Sequence, residues 1–330
     1  MTKTYSNVTE MIYYGGDHGY KALKDSEGHV LMSSLKKGKK TAGAKDAYEV
    51  EIDGITYTVS KVNTKDGKVL SGIDKLATDD NKEILRVQTL ASLYLCSKNP
   101  HAGIVQANYC FGLPMSVFND QVDALEQFIL NECNGVTVRV DGGAPKRIEI
   151  KNITAIPQSA GLPFLMEVEF SNNDISAVVD LGHYTVDISM YDGMNLREGA
   201  KSLPKGAKDV QGELANVLTK VTGQMFYAED MEAVISRGRV SDIHGNDIYL
   251  ETIKEFNEVI EEYVNSIHSA ITAQYSELFQ AQKIYIIGGL AAPFAKQLLN
   301  KFPGGKTTVV PDARFANAKS YKEVAKMSFR

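Results

Sequence analysis

Two stretches of the chain place an acid where an ordinary strand has little use for one. In YYGGDHGYKALK and VVDLGHYTVDIS an apolar strand ends on Asp17 or Asp180, with Gly19 or Gly182 after one spacer residue. Polar and aromatic residues then lead into a second strand. Glycine permits a tight turn and lets backbone N–H groups approach an anion with no Cβ in the way. A carboxylate there repels a phosphate directly. It makes sense where a divalent cation lies between the two, held through water as Mg²⁺ prefers. One Asp-x-Gly is also an ordinary turn; two of them, each closing an apolar strand, point to a nucleotide tail gripped from both sides. A third stretch, IYIIGGLAAPF, sets Gly288 and Gly289 between a buried strand and a helix. That is either a place for a base or ribose against bare backbone or a plain strand-to-helix turn.

The elements that must position these residues alternate between strand and helix. The apolar run at 10–14 leads into the first turn, and YEVEIDGITYTVS reads as a hairpin about Asp53-Gly54. The spacing predicts helices over 81–97, capped by Asp80, and over 119–133, with a strand over 103–110 between them. Short strands follow over 136–140, 146–150 and 153–156. The second turn lies in a hairpin closed by Asp192-Gly193, and GAKDVQGELANVLTKV enters a helix. The longest helix is predicted over 252–278, its apolar side (Ile253, Phe256, Val259, Ile260, Tyr263, Ile267, Ile271, Leu278) drifting with a core helix's 3.6 period. Strands over 283–287 and 307–310 and a terminal helix complete an α/β pattern. The lysine-rich SSLKKGKKTAGAKD (Lys36, Lys37, Lys39, Lys40, Lys45) has no hydrophobic period and reads as a loop, either simply solvated or a contact surface.

Composition limits the function classes. The 330 residues suffice for two domains, and 43% apolar with 23% charged residues is ordinary for a globular protein. A net charge of −5 argues against coating nucleic acid by charge alone, while leaving room for reaching DNA through an adaptor. Cys96, Cys110 and Cys133 lie in apolar runs without metal-like spacing, as buried thiols of a reducing cytosol do. The polar start MTKTYSNVTE and the lack of a long apolar run predict a soluble cytoplasmic protein without leader or membrane span.

The paired turns resemble those of the actin superfamily of ATPases, which also holds the heat-shock 70 chaperones and sugar kinases. The first turn matches in Asp17, Gly19 and Lys24; Tyr20 stands where the family usually has Ser or Thr. The chain is most similar to ParM-type plasmid-segregation actins, over nearly its whole length. FGLPMSVF, IEIKNITAIPQSAG, VVDLGHYTVDIS and PDARFANAKSYKEVA resemble that subfamily's motifs in order, with His183-Tyr184 replacing a small pair and Ser320 a common Gly. The resemblance implies an α/β, two-domain actin-like ATPase fold with a nucleotide cleft between the domains. Domain I would comprise 1–160 with 316–330, and domain II 161–315.

It also implies roles. Asp17 and Asp180 would hold the water shell of Mg²⁺, and Lys24, with Lys21 as a substitute, would pair with phosphate oxygens. Backbone N–H groups around Gly19, Tyr20, Gly182, His183 and Tyr184 would complete the cradle, and Thr185 would donate to a phosphate, with Asp187 supporting the hairpin. Gln158 occupies the place of the residue that orients the attacking water, unless it is only a hinge residue. A neutral amide orients water but takes no proton, so slow hydrolysis is expected. His183 is either a phosphate donor or an exposed loop histidine. Glu213 falls where the family contacts ribose and base, and ATP and GTP are not distinguished. The implied function is nucleotide-driven polymerisation into filaments that segregate plasmid DNA through a DNA-binding adaptor, with no direct nucleic-acid or membrane contact. The alternative is a small-molecule kinase or non-filament ATPase of the same fold.

Overall fold

In the computed structural model, which describes residues 8–41, 43–44, 47–60, 67–72, 74–170, 174–303 and 305–330, the first apolar run continues as one strand through its own acid. This strand, β1 (Thr9–His18), lies inside a ten-stranded sheet and is buried from Tyr14 onward. Burial on both faces suits a parallel neighbour rather than an edge.

The chain divides into two compact units, Met1–Met166 with Asn317–Arg330, and Glu167–Ala316. In the first unit β1 is followed by β2 (Ala22–Asp25), β3 (Val30–Met32), β4 (Ser34–Lys37), β5 (Tyr48–Ile52), β6 (Ile55–Val59) and β7 (Lys68–Val69). Then come α1 (Asp79–Cys96), β8 (Ile104–Leu113), α2 (Phe118–Cys133), β9 (Val136–Val140), β10 (Lys146–Pro157) and the single turn α3 (Leu162–Leu165). The sheet order is β3-β2-β1-β8-β10-β9-β5-β6-β4-β7, with β1, β8 and β10 mutually parallel and the hairpins antiparallel. The second unit holds α4 (Glu167–Phe170), β11 (Ile175–Leu181), β12 (Val186–Asp192), β13 (Asn195–Leu196), β14 (Lys201–Leu203), α5 (Ala207–Thr222) and α6 (Met231–Arg237). It continues with β15 (Arg239–Ser241), β16 (Asp247–Tyr249), α7 (Lys254–Gln274), β17 (Lys283–Gly288), α8 (Ala295–Lys301) and β18 (Thr307–Val309). α9 (Ala316–Ser328) returns the chain to the first unit. Each unit repeats one arrangement: a hairpin whose first strand runs parallel to two later strands, β2-β1-β8-β10 and β12-β11-β17-β18.

Several boundaries differ from the sequence expectation for identifiable reasons. Thr78, not Asp80, caps α1: its hydroxyl accepts the Asn81 N–H at 3.1 Å. Asp80 lies inside the first turn, where its charge suits the helix dipole and meets Lys68 at 2.6 Å. The strands expected over 146–150 and 153–156 are one strand with a bulge between Ile150 and Asn152. Lys36 and Lys37 belong to β4 rather than a loop, and Lys37 pairs with Glu83 at 3.4 Å, Lys40 with Asp141 at 2.7 Å. Lys45 lies outside the described residues. The long helix ends at Gln274, where a 3-10 turn carries Leu278 into the core instead. Of the predicted face Phe256, Ile260, Tyr263, Ile267 and Ile271 are buried in the helix, Val264 joins them and Val259 is half-buried; each buried aliphatic or Phe side chain contributes about 1.5–3 kcal/mol by leaving water. Cys96, Cys110 and Cys133 are buried free thiols, and burial pushes each thiol above its ordinary range.

Two contacts fix the first unit behind β1. α9 seats on bare backbone: a Cβ at Gly15 would stand 2.0 Å from the Ala318 carbonyl oxygen, and one at Gly112 would stand 1.9 Å from Tyr321 Oη. Asp25, fully buried at the end of β2, accepts from the Glu27 and His29 N–H groups at 3.0 Å, from His29 Nδ1 at 2.9 Å and from Ser92 Oγ at 2.8 Å.

Both contacts are testable. Gly112→Ala is expected to lower the unfolding free energy by about 3 kcal/mol, because overpacking against a buried ring has no room to relax; urea denaturation measures it. The Asp25 carboxylate holds the His29 pKa above its usual value. That pairing therefore stabilises the fold fully below the unfolded histidine pKa and is lost as pH rises through the folded one. The urea-midpoint gap between the wild type and His29→Gln should be larger near about pH 5.5 than near about pH 8.5. An equal gap at both would mean that the imidazolium contributes nothing.

Candidate functional site

The first Asp-x-Gly turn is built at the carboxyl ends of three parallel strands. Asp17 is only 4% exposed and stands opposite Lys24 in the β1–β2 register. Lys24 Nζ lies 3.4 Å from Asp17 Oδ2, and Gln158 Nε2 lies 3.4 Å from Oδ1. Gln158 comes directly after β10 and donates its backbone N–H to Leu113 of β8 at 2.8 Å, which carries it across to β1. The next residue, Ser159, is held in the left-handed region at φ 67°, its N–H donated to Asn317 Oδ1 at 3.2 Å. Left-handed backbone at a non-glycine residue costs energy and persists where surrounding contacts impose it. The turn itself is tied by Ser33, whose hydroxyl donates to the Gly19 carbonyl at 3.1 Å and whose N–H donates to Lys21 at 2.8 Å. Ser33 carries no sequence signal for this role, while Ser159 and Asn317 lie in the IEIKNITAIPQSAG and PDARFANAKSYKEVA stretches without being singled out there.

The second turn shares one close approach with the first, although the Gly19 N–H donates to the Asp17 carbonyl and the Gly182 N–H to that of Thr185, each at 2.9 Å. A Cβ at Gly19 would stand 2.8 Å from the Ala22 carbonyl oxygen; one at Gly182 would stand 2.9 Å from that of Thr185, three residues on in each case. Asp180 is 4% and Asp187 2% exposed, and the two stand opposite each other between β11 and β12, so both carboxylates share one face of the hairpin. Thr185 Oγ1 donates to Asp187 Oδ2 at 2.8 Å, so its proton serves the hairpin in this structure. The start of α5 holds the turn from behind: Ala207 and Lys208 donate their N–H groups to the Gly182 and His183 carbonyls at 3.0 and 3.1 Å. That approach requires Gly206, where a Cβ would stand 2.1 Å from the His183 oxygen. His183 is half-buried, its ring edge-on to Tyr184 at 4.8 Å, and Lys208 Nζ lies 4.5 Å from the centroid of the Tyr184 ring.

Gly288 and Glu213 have these surroundings. Gly288, at φ 98°, is bare because a Cβ there would stand 2.6 Å from Asp180 Oδ1 and 2.5 Å from the Leu181 carbonyl oxygen. Its openness makes room for the carboxylate, whereas the open space expected of the pair is found at Gly289. Glu213 is exposed on α5, and Gln211 is its buried neighbour on that helix.

Burial also collects side chains around the first turn that no motif announces. His18 is 2% exposed, its Nε2 bonded to the Tyr109 hydroxyl, and burial with a nearby lysine pulls its pKa down to about 3, so it is neutral. That lysine is Lys75, itself 2% exposed, with Nζ 4.0 Å from the Tyr20 ring centroid. The donor set fits a hydrated divalent cation with a phosphate chain. Buried carboxylates that repel one another, Asp180 with Asp187, gain from a cation. Each turn is also shaped so that no Cβ intrudes.

Residues 15–161 match the family of actin-like proteins at their N-terminal domain. No curated protein sequence matches the chain. Among solved structures it is similar to a 15-stranded ParM filament from Clostridium botulinum (TM-score 0.73, 18% identity, covering 95% of this chain and 98% of that one). It is also similar to Ta0583, an archaeal actin homologue in complex with ADP (0.73, 18% identity, 96% and 100%), and to the Alp12 filament (0.67, 18%, 98% and 99%).

Gly288→Ala tests how tightly Asp180 is seated. A Cβ at positive φ, pressed on backbone and carboxylate, should cost about 2–3 kcal/mol in thermal or urea unfolding. Gly289→Ala should cost well under about 1 kcal/mol, since its Cβ would meet open space. Equal costs would remove the packing explanation for Gly288.

Proposed function

We propose, from the premise that this chain is an actin-like protein, that it binds a Mg-nucleotide through its two Asp-x-Gly turns and hydrolyses it slowly while polymerising. The observation that carries the reading is the repetition of a buried aspartate followed by a glycine whose Cβ space is taken by the carbonyl three residues on, at Gly19 and at Gly182. When bound, the cation would neutralise phosphate charge. Asp17 and Asp180 would hold its water shell. N–H groups of the two turns other than those of Gly19 and Gly182, which bond within the turns, would donate to phosphate oxygens, and Lys24, already beside Asp17, would add a positive charge. Gln158 lies within reach of the same carboxylate and orients water; having no basic atom, it cannot accept the proton. Slow turnover suits a clock on polymer lifetime better than a metabolic step.

Filaments are named for two of the similar structures, the ParM and Alp12 polymers, and ADP for a third. Those likenesses support self-assembly and nucleotide binding; the fuller reading is a cytoplasmic ATPase or GTPase that moves plasmid DNA through an adaptor. A net charge of −5 is in keeping with an adaptor, since direct coating of DNA would be repelled. Among the described residues no helix is long and apolar enough to cross a membrane.

Light scattering and pelleting after adding Mg-ATP or Mg-GTP test the polymer. Scattering should rise with one nucleotide or both above a threshold protein concentration; no rise at any concentration with either would refute assembly. Asp180→Ala should abolish hydrolysis. Gln158→Ala should slow phosphate release by about a hundredfold while nucleotide-induced scattering persists. Normal turnover by the Asp180 variant would remove that residue from the site.

A further inference from the structure

Lys75 is a buried cation without an anion of its own. It is 2% exposed, and its Nζ has no hydrogen-bond acceptor among the described residues. Taking an ammonium out of water is costly unless a counter-charge or hydrogen bonds offset it. The face of Tyr20, 4.0 Å away, recovers only part of that cost. Asp17 also attracts the charge, but its two oxygens already face Lys24 and Gln158, each at 3.4 Å. Burial pulls the Lys75 pKa down to about 8, as expected of an ammonium short of partners.

The position is not accidental slack. Lys75 lies in the turn before α1, and that segment is stapled by the fully buried Asn81, whose Nδ2 donates to the Ser71 carbonyl at 2.8 Å and the Asp74 carbonyl at 3.1 Å. The Asp74 carboxylate in turn accepts the Leu76 N–H at 2.8 Å. The lysine is thus presented on fixed backbone to the residue after Gly19. An apolar side chain of the same length would fill that space without the desolvation cost, so packing gives no reason for the charge. The second turn repeats the device in solvent, with Lys208 on the face of Tyr184 at 4.5 Å.

We propose that Lys75 is a phosphate ligand of the first turn, resting on the Tyr20 ring and passing from it to a phosphate oxygen when the nucleotide binds. This rests on the nucleotide-binding reading above. Tyr20 then acts as a positioning residue: its ring lowers the cost of holding a charge that becomes fully paired only with the ligand. The assignment adds a contact from outside the Asp-x-Gly hairpin, and one that responds to phosphate rather than to base or ribose.

Fluorescence anisotropy with N-methylanthraniloyl ATP and GTP, in Mg²⁺ and with the full chain, provides the test. Lys75→Met should weaken the nucleotide that the wild type binds by roughly tenfold to a hundredfold. Its nucleotide-free melting temperature should be equal to the wild type's or higher, since an uncompensated charge has been removed. Lys75→Arg, which keeps a positive charge over the Tyr20 ring, should recover part of the affinity. Wild-type affinity in Lys75→Met overturns the proposal alone, as does a nucleotide-free Lys75→Met protein that melts lower or does not fold, which marks a structural lysine. A wild type that binds neither nucleotide overturns the function itself. In the wild type with nucleotide bound, a structure should place Nζ within about 3.2 Å of a phosphate oxygen; Nζ still on the Tyr20 ring would also overturn the proposal.

Discussion

A carboxylate buried at the end of a central parallel strand is the constraint on which this protein is built, and it occurs once in each unit. Asp17 and Asp180 are each 4% exposed, in surroundings where an ionised group loses most of its hydration. Neighbouring structure must therefore supply partners and exclude bulk around them. At Asp17 the partners are Lys24 from the paired strand and Gln158 from beyond β10. At Asp180 room is made by the bare backbone of Gly288, and a second acid, Asp187, shares the same face. Much of the surrounding fold can be understood as support for these two positions. α9 fits against Gly15 just before Asp17, and α5 donates its first N–H groups to the turn after Asp180.

The two turns share one close approach while differing in side chains and in where the glycine N–H donates. Glycine opens both, and the carbonyl three residues later closes against it at nearly the same separation. The glycine is succeeded by Tyr20-Lys21 in one turn and by His183-Tyr184 in the other. The shape is therefore a property of the glycine and the hairpin, which leaves the side chains free to specialise. In both turns a tyrosine carries a lysine on its ring, buried in the first and exposed in the second. Aromatic faces can hold a cation without neutralising it, and a charge so held stays available to an incoming anion.

Much of this was legible in the order of residues, because it depends on local rules. Periodicity marks the face of α7, since burial on one side of a helix demands it, and Asp-Gly marks the β5–β6 turn, where Asp53 and Gly54 both take positive φ. The buried acids, the glycines just beyond them and the lysine facing Asp17 are likewise sequence-local, as is the alternation that sets the fold class. Boundaries are less so: Thr78 caps α1 in place of Asp80, and a bulge joins what read as two strands. Those outcomes depend on neighbouring strands and on which of several capable side chains the chain path brings into reach.

Tertiary structure alone decided the rest. Gln158 reaches Asp17 only because β8 and β10 end side by side, and Ser159 takes its strained backbone from a residue of the terminal helix. The Cβ space at Gly288 belongs to Asp180, which the order of residues does not reveal. Lys75, in a turn with no motif, meets Tyr20 through a staple made by Asn81. A sequence states the chemistry that each residue can offer and the local geometry it prefers. Which charges are buried together depends on contacts between residues far apart in the chain, and only the folded backbone brings those into reach.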